Sequence, residues 1–282
     1  MIFSQKKQNK ENNKDDKKKE KVIIRKINDP KSPLISLKNI KKHFKDNLVL
    51  KGINLDIYPG EKIGLLGSNG AGKTTLSEII VGLIHPSSGT IEYNFQYQKN
   101  PKEHLGMQFQ ESTFPSGLKV KNLIKFIKGI RDIDITNEEV FEMMKIFNME
   151  HLFNKSSRSM SGGERQKINI LLSLIHNPKF VVLDELTTGL DIVSRENIIE
   201  FTNKLLSKNN TAMILVSHHM SEMEELCDKV VIIDNGEIGK ILKMEDVIKK
   251  HQSLQKFASQ IIKKDLDRKG EAWRQKQKAK AK

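Results

Sequence analysis

The sequence predicts an α/β fold: a mixed sheet whose core is mostly parallel and covered on both faces, an antiparallel β subdomain, and an inserted helical subdomain. Three patterns carry that prediction. Continuous apolar runs at 63–66, 180–183 and 213–216 fit strands sandwiched between helices. Apolar and polar residues alternate from Leu34, and again through Ile53, Leu55 and Ile57, as in antiparallel strands with one buried face. Between about Glu111 and Arg158 the apolar residues recur at helical spacing, first as Leu123, Phe126, Ile127 and Ile130, then as Val140, Met143, Met144 and Phe147.

The chain divides by charge. Of the formal net charge of +14, residues 1–33 carry +6 and residues 243–282 carry +8, which leaves 34–242 neutral. The first segment is rich in Lys, Asn and Gln and too poor in apolar residues to offset ordering entropy, so a disordered basic tail is expected there. A folded domain over 34–242 follows, then a basic amphipathic helix and tail over 243–282, with Met244, Val247, Ile248, Leu254, Phe257, Ile261, Ile262 and Leu266 on one apolar stripe. With the positive charge confined to the ends, no specific nucleic acid is expected as a partner. A lysine- and asparagine-rich coding bias or a merely solvated tail is the plainer reading of these ends, with contact to anionic lipid the alternative. No apolar run approaches the roughly 20 residues that cross a bilayer. The opening residues carry no secretory pattern, and Cys227 is the only cysteine, so a cytoplasmic location is expected.

Gly67-Ser68-Asn69-Gly70-Ala71-Gly72-Lys73-Thr74, followed by Thr75, lies between a buried-strand pattern and a helical one. In that context the GxxxxGK[ST] spacing forms a phosphate-binding P-loop: its glycines let backbone N–H groups turn toward an anion, and the helix start adds its positive dipole end. Lys73 is then placed to neutralise β- and γ-phosphate, and the Thr74 hydroxyl to ligate Mg²⁺. ATP and Mg²⁺ are the cofactors this predicts. The run at 180–183 ends in Asp184 and Glu185, at the sheet edge where such folds bind ligands. Adjacent carboxylates there are costly unless a cation or a water uses them. Asp184 is therefore assigned to Mg²⁺ and Glu185 to orienting or deprotonating the attacking water, against the plainer possibility that one acid caps the next helix. The segment Val230 to Glu237 reads as a strand, a tight Asp234-Asn235-Gly236 turn and a returning strand.

Met160-Ser161-Gly162-Gly163-Glu164-Arg165-Gln166 precedes the carboxylate strand by some twenty residues. By spacing alone it is a helix capping box, Ser161 with Glu164. It also resembles the signature of the ATP-binding cassette (ABC) transporter ATPases, usually Leu-Ser-Gly-Gly-Gln, with Met160 and Glu164 as variants; the drug- and lipid-exporter branch is the nearest in Met107 to Ser112 and Glu225 to Lys229. The resemblance implies a P-loop ATPase domain over 34–242 that works as a head-to-tail dimer with a second ATPase subunit on transmembrane permease subunits. In that arrangement Ser161, Gly162, Gly163 and Glu164 face the γ-phosphate held by the other subunit.

It further implies that Phe44 stacks on adenine, Gln110 senses Mg²⁺ and the membrane partner, Asp191 in Thr188-Gly189-Leu190-Asp191 couples the two sites, and His218 touches the γ-phosphate. Gln108 is a near-duplicate of Gln110, and His219 of His218. Leu186 departs from the family's usual Asp-Glu-Pro, removing a restriction on the backbone of Glu185. Gly67 and Ser161 are only 94 residues apart, and the chain holds a single cassette, which favours a transport subunit over DNA-organising or ribosome-acting relatives. Export is expected rather than import. A single-cassette cytosolic ATPase of another pathway and a regulatory ATP-binding module remain the alternatives.

Overall fold

A computed structural model describes residues 32–260, apart from 98–99, 109–113, 116 and 132. Gln110, residues 1–31 of the N-terminal tail, and the final stretch from Ile261 therefore lie outside the described residues. In chain order the elements are β1 (Ile35–Phe44), β2 (Asn47–Ile57), β3 (Lys62–Leu66), α1 (Lys73–Ile80), β4 (Ser88–Tyr93), β5 (Leu105–Gln108), α2 (Val120–Arg131) and α3 (Asn137–Ile146). There follow α4 (Gly162–Leu174), β6 (Phe180–Asp184), α5 (Ile192–Asn209), β7 (Ala212–Val216), α6 (Met220–Leu226), β8 (Lys229–Asp234), β9 (Glu237–Lys243) and α7 (Met244–His251).

Strands β2, β1 and β4 form an antiparallel sheet, and the second sheet runs β5-β6-β7-β3-β8-β9. Its first five strands are parallel, and β9 closes the edge antiparallel to β8. The apolar runs are continuous because alternate side chains enter different cores. Ile63, Leu65, Phe180, Val182, Ile214 and Val216 pack with β1, β2 and α1, whereas Val181, Leu183, Met213 and Leu215 pack with α4 and α5. Val216 is in register with both Leu65 and Asp184. The carboxyl ends of β3, β6 and β7 therefore finish side by side, and everything that follows them emerges at one edge. The β8–β9 turn places Asn235 at φ 48° and Gly236 at φ 81°, the left-handed pair that a two-residue hairpin turn requires.

The helical insertion forms as α2 and α3, whereas the expected C-terminal helix is broken. In α2 only part of the regularly spaced set is covered: Leu123 is buried, while Phe126 and Ile130 are each 63% exposed. The helix packs on α4 with its Val120 and Ile124 face, and its Phe126 and Ile130 side is open. The C-terminal stripe is not one helix. Gln252 adopts φ 68° and donates its N–H to Ile248, ending α7. Helical backbone resumes over 254–260, where the Leu254 N–H is taken by Glu224 Oε1 at 2.6 Å and Leu254 is fully buried.

At the start of β5, burial makes His176 acid-sensitive. His176 Nε2 lies 3.1 Å from the Leu105 carbonyl, which also accepts from Arg131 Nη1 at 3.1 Å. Burial first, then the Arg131 charge, push the imidazole from 6.5 down to about 4, with the Leu105 hydrogen bond opposing. Above pH 6.5 neither folded nor unfolded chain is protonated at His176. Between 6.5 and about 4 only the unfolded chain takes up the proton, so stability falls as pH drops through that window, by up to about 3 kcal/mol. Urea unfolding at pH 7 and 4.5 should show this loss, and His176→Gln should reduce it. An equal loss in the variant would assign the acid sensitivity elsewhere.

Candidate nucleotide site

The loop after β3 is shaped by close approaches that only glycine permits. A Cβ on Gly67 would sit 2.3 Å from the Ile233 carbonyl oxygen, and one on Gly72, at φ 103°, would meet Leu50 at 2.6 Å. The loop is thus seated between the β8 end and β2. α1 starts at once with no side-chain cap and no acidic residue in its first turn, leaving its N-terminal N–H groups and dipole directed at an anion. Ser68, Asn69, Gly70 and Thr74 are exposed, Thr75 is half-buried, and Ala71 is anchored in the core. Lys73 Nζ donates to the carbonyls of Gly67 (2.8 Å) and Ser68 (3.1 Å), so its ammonium lies inside the cradle. Burial lowers its pKa, against the pull of Asp184 and Glu185.

Those two acids stand at the end of β6. Burial, then the neighbouring Glu185, raise the Asp184 carboxyl above its ordinary value, with Lys73 and His218 pulling it back. A half-buried carboxylate under such repulsion favours a cation. With the exposed Thr74 hydroxyl it could supply two hard oxygens to Mg²⁺, which takes few ligands from a protein when phosphates and water complete its shell.

Glu185 is buried and sits at φ 54°, a strained value for a non-glycine residue. Its N–H donates to Val216 O at 2.8 Å. One carboxylate oxygen accepts from Thr188 Oγ1 at 2.6 Å, and the other lies 3.6 Å from His218 Nε2. Leu186 beneath it is buried, and its carbonyl accepts from Gln166 Nε2 at 2.6 Å. Gln108 is buried and donates to the Asp184 carbonyl at 3.2 Å, a backbone support for the acid pair. His218 is exposed, while His219 caps α6 and bonds through its N–H to Ser217 Oγ.

Ser161 is the N-cap of α4 in a complete capping box: Glu164 N–H donates to Ser161 Oγ at 3.2 Å, and Ser161 N–H to Glu164 Oε2 at 2.8 Å. Gly162 lies beside Leu190, and Gly163 beside Ser194. Asp191 caps α5, accepting from Ser194 N–H (3.0 Å) and Oγ (2.7 Å), bonds that lower its pKa. Phe44 projects at the end of β1, 47% exposed, with Lys42 Nζ 5.1 Å from the ring centroid.

The fold thus gathers Lys73, Asp184, Glu185 and His218 at one edge, and Ser161, Gly162, Gly163, Glu164 and Asp191 around the start of α4. Sequence reasoning missed three supports: Thr188 on Glu185, the Thr187 hydroxyl bonded to buried Glu222 of α6, and Lys155 on Glu164. Only Thr188, three residues from Glu185, had a local signal.

The ABC transporter family profile matches residues 50–188, from β2 through the phosphate loop to the carboxylate strand. An uncharacterized ABC transporter ATP-binding protein of Methanocaldococcus jannaschii is 32% identical over 238 residues, covering 83% of this chain and 87% of that protein. The high-affinity zinc uptake system ATP-binding protein ZnuC of Bacillus subtilis is 32% identical over 215 residues, 73% of this chain and 93% of its own. That relative serves zinc uptake, which lends no support to the expected exporter branch. Among solved structures, cbiO1 of Clostridium perfringens, part of the ABC transporter complex cbiONQ, superposes with a TM-score of 0.67 at 25% identity, over 82% of this chain and 99% of that one. Identity of 32% across most of both chains, with the phosphate loop and carboxylate strand inside the matched family segment, establishes that this chain belongs to the ABC transporter family, as an ATP-binding subunit that hydrolyses ATP with Mg²⁺.

Proposed function

We propose that the chain is the motor subunit of a transporter, dimerising on ATP at the cytoplasmic face of the membrane to drive translocation by separate permease subunits. The observation that supports this best is the division of phosphate-directed groups within one chain. The α1 start has Lys73, Asp184 and Glu185 around it, whereas the α4 start has Lys155, Leu190 and Ser194, so each reads as half of a site. Two chains set head to tail join the halves. Bound Mg²⁺ supplies charge neutralisation at the β- and γ-phosphates. The loop amides and Lys73 would grip the phosphates, Thr74, Asp184 and Gln110 would serve the metal, and Phe44 would stack on the base. Glu185 orients and deprotonates the water, with His218 at the γ-phosphate and Asp191 linking the sites.

No described helix is long and apolar enough to cross a membrane, so membrane attachment rests on the permease, aided by basic tails on anionic lipid. Isolating the chain from membranes should bring down an integral membrane protein and raise phosphate release. Turnover with no such companion would favour the non-transport ATPase, and ATP binding without phosphate release the regulatory module. Export is the direction proposed from the Met107 and Glu225 segments. The zinc uptake relative favours import as a second reading, and transport into right-side-out against inverted vesicles separates the two.

A further inference from the structure

Glu164 puts a carboxylate in the first turn of α4, beside the amides of Ser161 to Gly163 that the proposed function turns toward a γ-phosphate. An uncompensated negative charge there opposes the anion that the helix start attracts. The family's usual glutamine at this place carries no such charge. In this chain the charge is met at once: Lys155 Nζ lies 2.8 Å from each Glu164 oxygen, Oε2 also takes the Ser161 N–H, and the more exposed His151 Nε2 stands farther off, 3.6 Å from Oε1. Lys155 is itself held by backbone. Its N–H donates to Leu152 O at 2.9 Å, its carbonyl accepts from Val120 N–H at 3.0 Å, and the adjoining Phe153 carbonyl accepts from Lys121 N–H at 2.9 Å. The Lys155 backbone is therefore fixed relative to the start of α2, and the ion pair is partly shielded, with the Lys155 side chain 31% exposed against 22% for Glu164.

We infer that Lys155 is a positioning residue for the composite site: it neutralises Glu164 and turns that residue from a repeller of phosphate into a clamp on the Ser161 backbone. Lys155 touches no reacting atom and acts through Glu164. The inference rests on the dimer reading above.

The test measures the ATP concentration that half-saturates dimerisation of the full chain, in a Glu185→Gln background. Lys155→Gln should raise it roughly tenfold, the cost of leaving the Glu164 carboxylate without its ammonium beside the incoming phosphate. Lys155→Arg should stay within about threefold of the parent, as should Glu164→Gln, since neither leaves an unpaired carboxylate. The double variant Lys155→Gln with Glu164→Gln should recover to within about threefold of Glu164→Gln alone, a rescue that a merely structural lysine would not give. An unchanged Lys155→Gln, or a double variant as impaired as Lys155→Gln, overturns the inference. If the parent dimerises and Ser161→Arg abolishes that, the dimer reading stands even when this inference falls. A monomeric parent overturns both.

Discussion

Glu185→Gln should slow phosphate release by about 10²- to 10⁴-fold, the usual contribution of a positioned base, while leaving ATP binding close to that of the unaltered chain. The expectation comes from where the carboxylate is held. Thr188 fixes one oxygen at 2.6 Å and His218 faces the other at 3.6 Å, while Lys73, Thr74 and Asp184 belong to separate supports. An amide keeps the shape and the Thr188 bond but cannot take a proton from water. Uncleaved ATP then persists and adds its binding energy only to the closed dimer. In size-exclusion chromatography the variant should elute as a dimer with Mg-ATP and as a monomer with ADP. Adding Ser161→Arg should remove the dimer, because a bulky cation then fills the facing half-site. Unchanged hydrolysis would reject Glu185 as the base.

Lys73→Ala should weaken ATP binding by roughly 30- to 4,000-fold, the loss of about 2–5 kcal/mol expected when one partner of a desolvated charge pair is removed. Lys73 Nζ sits within 3.1 Å of two loop carbonyls, inside the turn made by Gly67 and Gly72. Lys73 is the basic side chain that the loop itself holds, so its loss removes the principal side-chain counter-charge expected for the phosphates. Titration calorimetry with ATP in excess Mg²⁺ reads the effect. Near-normal affinity would show that residues 67–74 are not the active cradle.

The parts of this arrangement that could be read from sequence are those dictated locally. Apolar runs at β3, β6 and β7 follow from burial of both sheet faces, the Asn235-Gly236 turn from its left-handed backbone, and the phosphate loop from glycine spacing ahead of a helix. What stayed hidden depends on distant partners. Lys155 looks like any loop lysine until the α2 start fixes its backbone. The break at Gln252 is imposed by Glu224 and by the burial of Leu254, because glutamine has no intrinsic preference for φ 68°. Phe126 and Ile130 match the helical period yet face outward, since spacing alone does not say how many neighbours a helix has. Glu185 shows the same limit in reverse: Leu186 signalled a freer backbone, but only the fold gives that freedom a value, φ 54°.

The seat of Gly67 against the Ile233 carbonyl has a consequence in time. β3 is paired with β7 and β8, whose residues leave the ribosome long after the phosphate loop itself. A nascent chain that has just exposed Thr74 possesses the glycines and the lysine but neither neighbouring strand nor the floor beneath the loop. At about 5–20 residues per second, the stretch up to Gly236 takes roughly 8–32 s to synthesise. Nucleotide capture is thus among the last properties the domain acquires as it is made, and until then its most sequence-recognisable motif is an unsupported turn.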